Sequence, residues 1–437
     1  MQYQIHHGDN REVLKNLADN SIDSVVTDPP YELGFMGKSW DATGVAYSVE
    51  LWQEVMRVLK PGGHLLAFSG SRTYHRMAVA IEDAGFEIRD QIMWIYGSGF
   101  PKSMNVSKAI EATLTTGSAN KTQFKKLQGK KTKRRDANGL YAANEFHDNR
   151  PADYTEIAEG DFLSELEPTT IEAKQWQGWG TALKPAHEPI VVARKPLIGT
   201  VAANVLTYGT GGLNIDASRV GNEEIVTTNG KGFAGSFEGG VNDNGGSTHQ
   251  GRWPANVIHD GSDEVVALFP TNTNISKGVR GRGSDIYANG KGFANTLAEV
   301  GQDIGYGDSG SAARFFYCAK ASKRDRNEGL DGFEAKRDHD GRQEGGVGGS
   351  NPRNRTNTAK VNHHPTVKPT ELMRYLCRLV TPPKGIVLDP FMGSGSTGKA
   401  AMYEGFEFIG IELTDEYLPI AKARIEFAIQ EMKARLL

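Results

Sequence analysis

Two rhythms of apolar and polar positions divide this chain. From residue 1 to about 112, short apolar runs trade places with stretches whose apolar residues recur at helical spacing. Ile22 to Thr27 is a β-branched run that stops at "DPPY". From Ser48 to Lys60, Leu51, Val55, Val58 and Leu59 share a helical face, and the "PGG" that follows predicts the end of that helix. "HLLAF" reads as the next strand, residues 72 to 84 as another helix and "FEIRDQIMWIY" as another strand. This alternation predicts βαβ units and a mostly parallel sheet.

The rhythm fades after residue 112 and returns at Pro365. Between the two, "EPIVVA" (188 to 193) reads as one more core strand and "RWPANVIHDGSDEVVALFP" as an ordered stretch. Pro369 suits the first turn of a helix with Leu372, Leu376, Leu379 and Val380 on one face, which "PPKG" ends. "IVLD" is then a strand, 396 to 404 a helix, "FEFIGIE" a strand and 415 to 435 a long amphipathic helix. The sheet is thus expected to be assembled from both ends of the chain around an insertion. The expected division is 1–112, a charged insertion 113–174, a last core strand and connection 175–220, a Gly-rich region 221–355, and 356–437.

Composition sharpens this picture in the middle. The chain has 437 residues, 52 of them glycine, and eight glycines fall between 229 and 251. "NGKGFA" occurs at 229 to 234 and again at 289 to 294, too few copies for a solenoid. The net charge of −3 argues neither for nor against a polyanionic partner, but its distribution is uneven. Residues 121 to 135 hold eight basic residues and no acid, whereas 145 to 172 hold nine acids and one base, Arg150. Basic residues return at Arg314, Lys320, Lys323, Arg324, Arg326, Arg353 and Arg355, near aromatics in "ARFFYCAKASKRDR", a setting that suits phosphate contacts as well as a solvated face. No apolar run approaches the roughly 20 residues that span a bilayer, and the N-terminus lacks the pattern of a signal peptide. Cys318 and Cys377 fit reduced thiols of a cytoplasmic protein, and His259, His363 and His364 lack metal-ligand spacing, so no metal is expected.

Chemistry concentrates at the strand ends. In "TDPPY", two prolines fix an extended turn after a buried strand, which holds the Asp28 carboxylate and the Pro29 carbonyl as rigid acceptors beside the ring of Tyr31. Two fixed acceptors and a stacking face suit a planar group that bears an NH2. At the other end, "LDPFMGSGSTGKAA" (388 to 401) follows the phosphate-binding spacing G-x-x-x-x-G-K-[ST] from Gly393 until Ala400 replaces the metal-binding hydroxyl. Asp389 ends one strand, Gly393 and Gly395 allow close approach to backbone, and Glu412 ends the next strand about twenty residues on, where a dinucleotide-type fold places the acceptor for ribose hydroxyls. A nucleoside is therefore expected rather than a triphosphate, and Lys399 becomes an ordinary residue of a helix's first turn.

These motifs, in this order, resemble the β group of the amino-DNA methyltransferases. The resemblance covers residues 1 to about 110, 360 to 437 and "KPAHEPIVVARK". It implies an α/β, Rossmann-like S-adenosylmethionine-dependent methyltransferase fold with a mostly parallel sheet, a circularly permuted motif order and an inserted target-recognition region. It implies a catalytic set of Asp28, Pro29, Pro30 and Tyr31. For the cofactor it implies Asp9 and Asn10 near the adenine, His364, Thr366 and Lys368 along the methionine moiety, Asp389, Pro390, Phe391, Gly393 and Gly395 in the loop, and Glu412 on the ribose. The implied partner is double-stranded DNA, with a homodimer and a restriction endonuclease compatible with it and no membrane involved. The implied reaction is direct methyl transfer to a flipped base, at adenine N6, with cytosine N4 the alternative. An RNA or protein amide methyltransferase and a P-loop ATPase are more distant alternatives. No Pro-Cys pair occurs, so a cysteine nucleophile of the C5-cytosine type is set aside.

Overall fold

Ile22–Thr27 (β2) is buried at all six positions, as a strand covered on both faces must be. Its residues alternate between two cores. Val26, with Leu66 and Phe68 of the next strand, packs on the face that carries Leu372, Leu376 and Val380. Val25, Leu65 and Ala67 pack on the opposite face with Trp52, Val55 and Ile81. A computed structural model describes residues 2–33, 43–99, 103–117, 168–227, 247–271, 311–319, 322–336 and 360–435 of the chain. The charged run 121–135, both copies of "NGKGFA", Lys320, Arg353 and Arg355 lie outside the described residues.

The strands in chain order are β1 (Tyr3–His7), β2, β3 (Leu59–Phe68), β4 (Glu87–Ile95), β5 (His187–Arg194), β6 (Val220–Thr227), β7 (Ser247–Arg252), β8 (Val257–His259), β9 (Tyr317–Cys318), β10 (Ile386–Asp389) and β11 (Glu407–Glu412). Nine form one sheet in the order β1-β11-β10-β2-β3-β5-β4-β8-β9. The C-terminal strands β10 and β11 sit between the N-terminal β1 and β2, with His7 opposite Glu412 and Leu388 opposite Val25. Every pairing is parallel except those of β5, which runs antiparallel between β3 and β4. The sheet is therefore built from both ends of the chain, as the returning periodicity predicts. β6 and β7 pair separately as an antiparallel ribbon.

The helices Val49–Val58, Tyr74–Asp83, Thr370–Val380 and Ser396–Glu404 flank the sheet where the apolar spacing places them. A single 3₁₀ turn, Asp415–Tyr417, precedes the last helix, Leu418–Arg435. One expectation changes in kind. "PGG" does not merely end a helix, because β3 begins at Leu59 and runs straight through it. Ile22 pairs with Leu59 and Ser24 with His64, so Lys60 to Gly63 form a bulge on β3. Gly62 sits there at φ +79°, and a Cβ on it would run into the Asn204 amide and the Gly211 backbone.

Residues 1–97, 187–334 and 361–437 form one compact unit; 98–186 and 335–360 form another. In the second, Glu111 accepts from the Thr170 amide at 3.0 Å and its hydroxyl at 2.7 Å, tying Val106–Thr116 to Ile171–Gln175. Trp176 and Trp179 meet edge to face with centroids 4.9 Å apart. Among the described residues no helix is long and apolar enough to cross a membrane.

Candidate active site at the strand ends

Parallel pairing puts the C-terminal ends of β2, β3, β10 and β11 on one edge of the sheet, the edge where α/β sheets bind ligands. Asp28, Asp389 and Glu412 follow or end three of these strands. Antiparallel β5 starts at the same edge, and its second residue is Glu188. Residues far apart in the sequence thus become neighbours.

Asp28 is held from the other end of the chain. Lys368 Nζ donates to Asp28 Oδ2 at 2.8 Å and to Tyr31 Oη at 3.1 Å, and lies 3.1 Å from Glu188 Oε2. Tyr31 Oη in turn donates to Glu188 Oε2 at 2.8 Å. The ammonium also sits over the rings of Phe68, 4.8 Å away, and Tyr31, 5.3 Å away. Asp28 Oδ1 is buried and has no hydrogen-bond partner among the described residues. Burial pushes the Asp28 carboxyl up and Glu188 adds to the rise, while Lys368 and Tyr31 oppose it; the net direction is upward.

The glycine loop is organised by backbone donors. Asp389 Oδ1 accepts from Thr27 Oγ1 at 2.6 Å and from the Phe391 amide at 3.0 Å, so one carboxylate links the end of β2 to the turn after β10. Burial raises Asp389 to about 6 in spite of these bonds and of one from Thr397. Glu412 accepts the Gly393 amide on Oε2 and the Thr414 amide on Oε1, both at 2.7 Å. Gly393 has φ +53°, and a Cβ there would lie 2.8 Å from His364 Nε2. Gly395 has φ +77° and would carry its Cβ to 2.9 Å from Ala421 Cα. Both positions need glycine because L-residues rarely adopt this conformation.

The other residues singled out from the sequence divide by what they touch. Asn10 Nδ2 donates to the Pro390 carbonyl at 3.0 Å, so Asn10 fixes the turn that carries Phe391, whose ring lies 6.4 Å from that of Trp52. Asp9 caps the helix Asn10–Val13 and pairs with Arg11, both partly exposed. His364 Nδ1 meets the Thr366 carbonyl at 2.9 Å, which gives Nδ1 the proton and leaves Nε2 an acceptor toward Gly393. Burial, aided by nearby cations, holds this imidazole down to about 3, so it is neutral near pH 7. The Thr366 side chain is exposed. Pro29 is buried and Pro30 half-buried.

Lys399 requires a correction. It is not an ordinary first-turn residue, since its side chain is fully buried and its Nζ lies 2.6 Å from Glu328 Oε2. Nor can it reach a phosphate from that position, which removes the last support for a P-loop. Glu328 belongs to a middle segment that buttresses the site from below. Arg326 Nη1 donates to the carbonyls of Asn362 at 3.1 Å and His364 at 2.8 Å. Arg424, fully buried, donates to the Ser394 carbonyl at 2.5 Å and the Asp325 carbonyl at 3.1 Å. Arg326, read from the sequence as one of a basic run, is therefore committed to backbone. Glu188, Arg326 and Arg424 carry no motif. The signal that could have found Glu188 is its place at the start of the strand "EPIVVA". Trp253 is exposed and stacks with Arg219, whose guanidinium lies 5.4 Å from its ring. Among the described residues no cluster of His, Cys, Asp and Glu could hold a metal ion.

The chain is similar in part to known DNA methyltransferases. The chain is 40% identical over 77 residues to DNA adenine methyltransferase YhdJ of Escherichia coli (strain K12), a match covering 18% of this chain and 26% of that protein. It is 35% identical over 105 residues to type II methyltransferase M.HpaI of Haemophilus parainfluenzae, covering 22% of this chain and 32% of that protein. The matched stretches thus span about a third or less of these relatives' own length. Among solved structures, PvuII DNA methyltransferase (cytosine-N4-specific) covers 100% of this chain and 92% of its own at 13% identity, with a TM-score of 0.42. The complex of M1.HpyAVI with S-adenosylmethionine covers 97% and 99% at 16% identity, with a TM-score of 0.37. A family model described as DNA methylase, for N6 and N4 methyltransferases, matches residues 22–423. Since that match takes in nearly the whole chain, the protein belongs to the N6/N4 DNA methylase family, the amino-DNA methyltransferases.

Proposed function

We propose that this protein methylates the exocyclic N6 of adenine in duplex DNA, with S-adenosylmethionine as methyl donor. One observation carries the reading: Asp28 Oδ1 is a buried carboxylate oxygen without a partner among the described residues, at the ligand-binding edge of the sheet, on a side chain that shares Lys368 with Tyr31. A buried acceptor left unpaired is costly unless a ligand supplies the donor. An amine on a planar base does so, and the Pro29 carbonyl offers the second acceptor.

The residues fit the cofactor. Glu412, held by the Gly393 and Thr414 amides at the end of β11, is the acceptor proposed for the ribose hydroxyls. The loop from Gly393 to Gly395 has no side chains at its two left-handed positions and is closed off by neutral His364. When bound, S-adenosylmethionine supplies an electrophilic methyl group on a sulfonium. The chain's contribution is positioning: Asp28 and the Pro29 carbonyl fix the amine and aim its lone pair, and Tyr31 stacks on the base. Asp9, Asn10, His364, Thr366, Asp389, Pro390, Phe391, Gly393, Gly395 and Glu412 remain the proposed cofactor set, most of them through the shape of the loop, whereas Lys368 turns to Asp28. The target base must leave the duplex, at a cost of a few kcal/mol. Residues 221–355 are the proposed target-recognition region, from which β8 and β9 extend the catalytic sheet.

The test is nucleoside mass spectrometry of unmethylated duplex DNA after incubation with the protein and cofactor. N6-methyladenine is the expected product. N4-methylcytosine alone would overturn the choice of base, since that amine presents the same donors. Methylation of RNA or peptide but not DNA would overturn the substrate class. Calorimetry is expected to show binding of S-adenosylmethionine and none of ATP.

A further inference from the structure

Lys368 lies in "HPTVKP", which the sequence assigns to the cofactor, yet it spends its donors elsewhere. An ammonium has three N–H groups. Asp28 Oδ2, Tyr31 Oη and Glu188 Oε2 take all three, at 2.8, 3.1 and 3.1 Å. The side chain is 7% exposed, and the faces of Phe68 and Tyr31 enclose it. Glu188 closes the ring by accepting the Tyr31 hydroxyl at 2.8 Å. Among the buried polar atoms of this arrangement, Asp28 Oδ1 has no partner among the described residues.

We infer that Lys368 and Glu188 are positioning residues for methyl transfer: Lys368 pins Asp28 by Oδ2 so that Oδ1 alone faces the substrate amine, and Glu188 locks Lys368 and the Tyr31 ring in register. The inference rests on the reading of Asp28 as the amine's acceptor. Its physical content is a division of labour within one carboxylate. A free carboxylate rotates and presents either oxygen, whereas a pinned one presents a single acceptor in a fixed direction, which is the preorganisation that transition-state stabilisation requires. The three side chains come from the end of β2, the start of β5 and the segment before the helix Thr370–Val380, so three elements must be docked before the acceptor is formed.

The same charges set opposite signs for two variants. The groups that act on or near Asp28 are Lys368, Glu188, Tyr31 and Asp389, with Tyr96 next to the Lys368–Glu188 pair. Asp28 must be ionised to accept from the amine, so activity rises with pH through its titration. Lys368→Met removes a cation and moves that acid limb to higher pH. Glu188→Gln keeps the shape, removes an anion and moves the limb to lower pH.

The experiment measures kcat against pH, the calorimetric Kd for S-adenosylmethionine, and the titration of the Asp28 carboxyl carbon by NMR in the intact protein, assigned by its loss in Asp28→Asn. Lys368→Met is expected to lower kcat about a hundredfold at pH 7 and to shift the limb upward, with Kd within threefold of wild type. Lys368→Arg is expected to return the limb toward its original position. Should Lys368→Met fail to fold, the downward shift in Glu188→Gln decides the matter. An unmoved limb in both folded variants, or a tenfold weaker Kd with kcat retained, would overturn the inference and return Lys368 to the cofactor. If the wild type methylates no DNA, the proposed function falls instead. The carbon titration then decides this inference alone, opposite shifts supporting it and an unmoved carboxyl rejecting it.

Discussion

The two carboxylate stations at the sheet edge are built differently. Asp389 and Glu412 are held by neutral donors, backbone amides and the Thr27 hydroxyl. Asp28 is held by a charged side chain 340 residues away and keeps one oxygen unpartnered. Engaging a carboxylate with neutral donors makes it an organiser, and here it shapes a glycine loop. Pinning one by a single oxygen leaves an acceptor to be used. The contrast separates the part of the site that shapes a cradle from the part that would do chemistry, and it can be broken from either side.

The largest effect belongs to the unpartnered oxygen. Asp28→Ala is expected to cut methyl transfer by about a thousandfold, roughly 4 kcal/mol, while calorimetry shows cofactor affinity within threefold of wild type. A comparable loss of cofactor affinity would erase the distinction between the two stations. Next comes the support beneath the loop. Glu328→Ala leaves the buried Lys399 ammonium unpaired and should cost about 3 kcal/mol in urea unfolding. Lys399→Met in the same chain should recover part of it. Gly395→Ala must place a Cβ 2.9 Å from Ala421 Cα at a left-handed φ. A cost of roughly 2–3 kcal/mol is expected, read as a lower Tm.

The smallest effect is a slope. An acid whose value is raised on folding stabilises the native state below its unfolded value, near 4, and loses that contribution as pH rises through its folded value. For Asp389 that folded value is about 6. Asp389→Asn keeps an oxygen for Thr27 and the Phe391 amide and removes the charge. It should therefore flatten the fall in stability between pH 4 and 7 by on the order of 2 kcal/mol, compared with wild type by urea titration at each pH.

The parts legible in the sequence are those encoded locally. Ile22–Thr27 is rich in β-branched residues and "FEFIGIE" in aromatic and β-branched ones, and both are strands buried along nearly all their length. The glycines at 393 and 395 announce a loop open to close approach, and both adopt left-handed backbone. What stayed hidden depends on pairing at a distance. Nothing near Lys368 says that it meets Asp28, and nothing in "KPAHEPIVVARK" says that antiparallel insertion of β5 brings Glu188 to the same edge. Lys399 read as an ordinary first-turn residue because its helix opens on polar residues, but Ser396, Thr397 and Lys399 are all buried beneath the loop, where Glu328 pairs with the lysine. Arg326 looked like part of a basic face, yet it is spent on carbonyls, as is Arg424. The bulge in β3 was hidden because "PGG" is also what a turn would look like.

The central claim is that the unpartnered oxygen of Asp28 receives a base's amine. It is tested most directly by treating unmethylated duplex DNA with S-adenosylmethionine and either the wild-type protein or Asp28→Ala, then digesting to nucleosides for mass spectrometry. The account predicts N6-methyladenine from the wild type and none above background from the variant. Methylated base from the variant at the wild-type rate, or none from a wild-type protein that binds the cofactor, would contradict it.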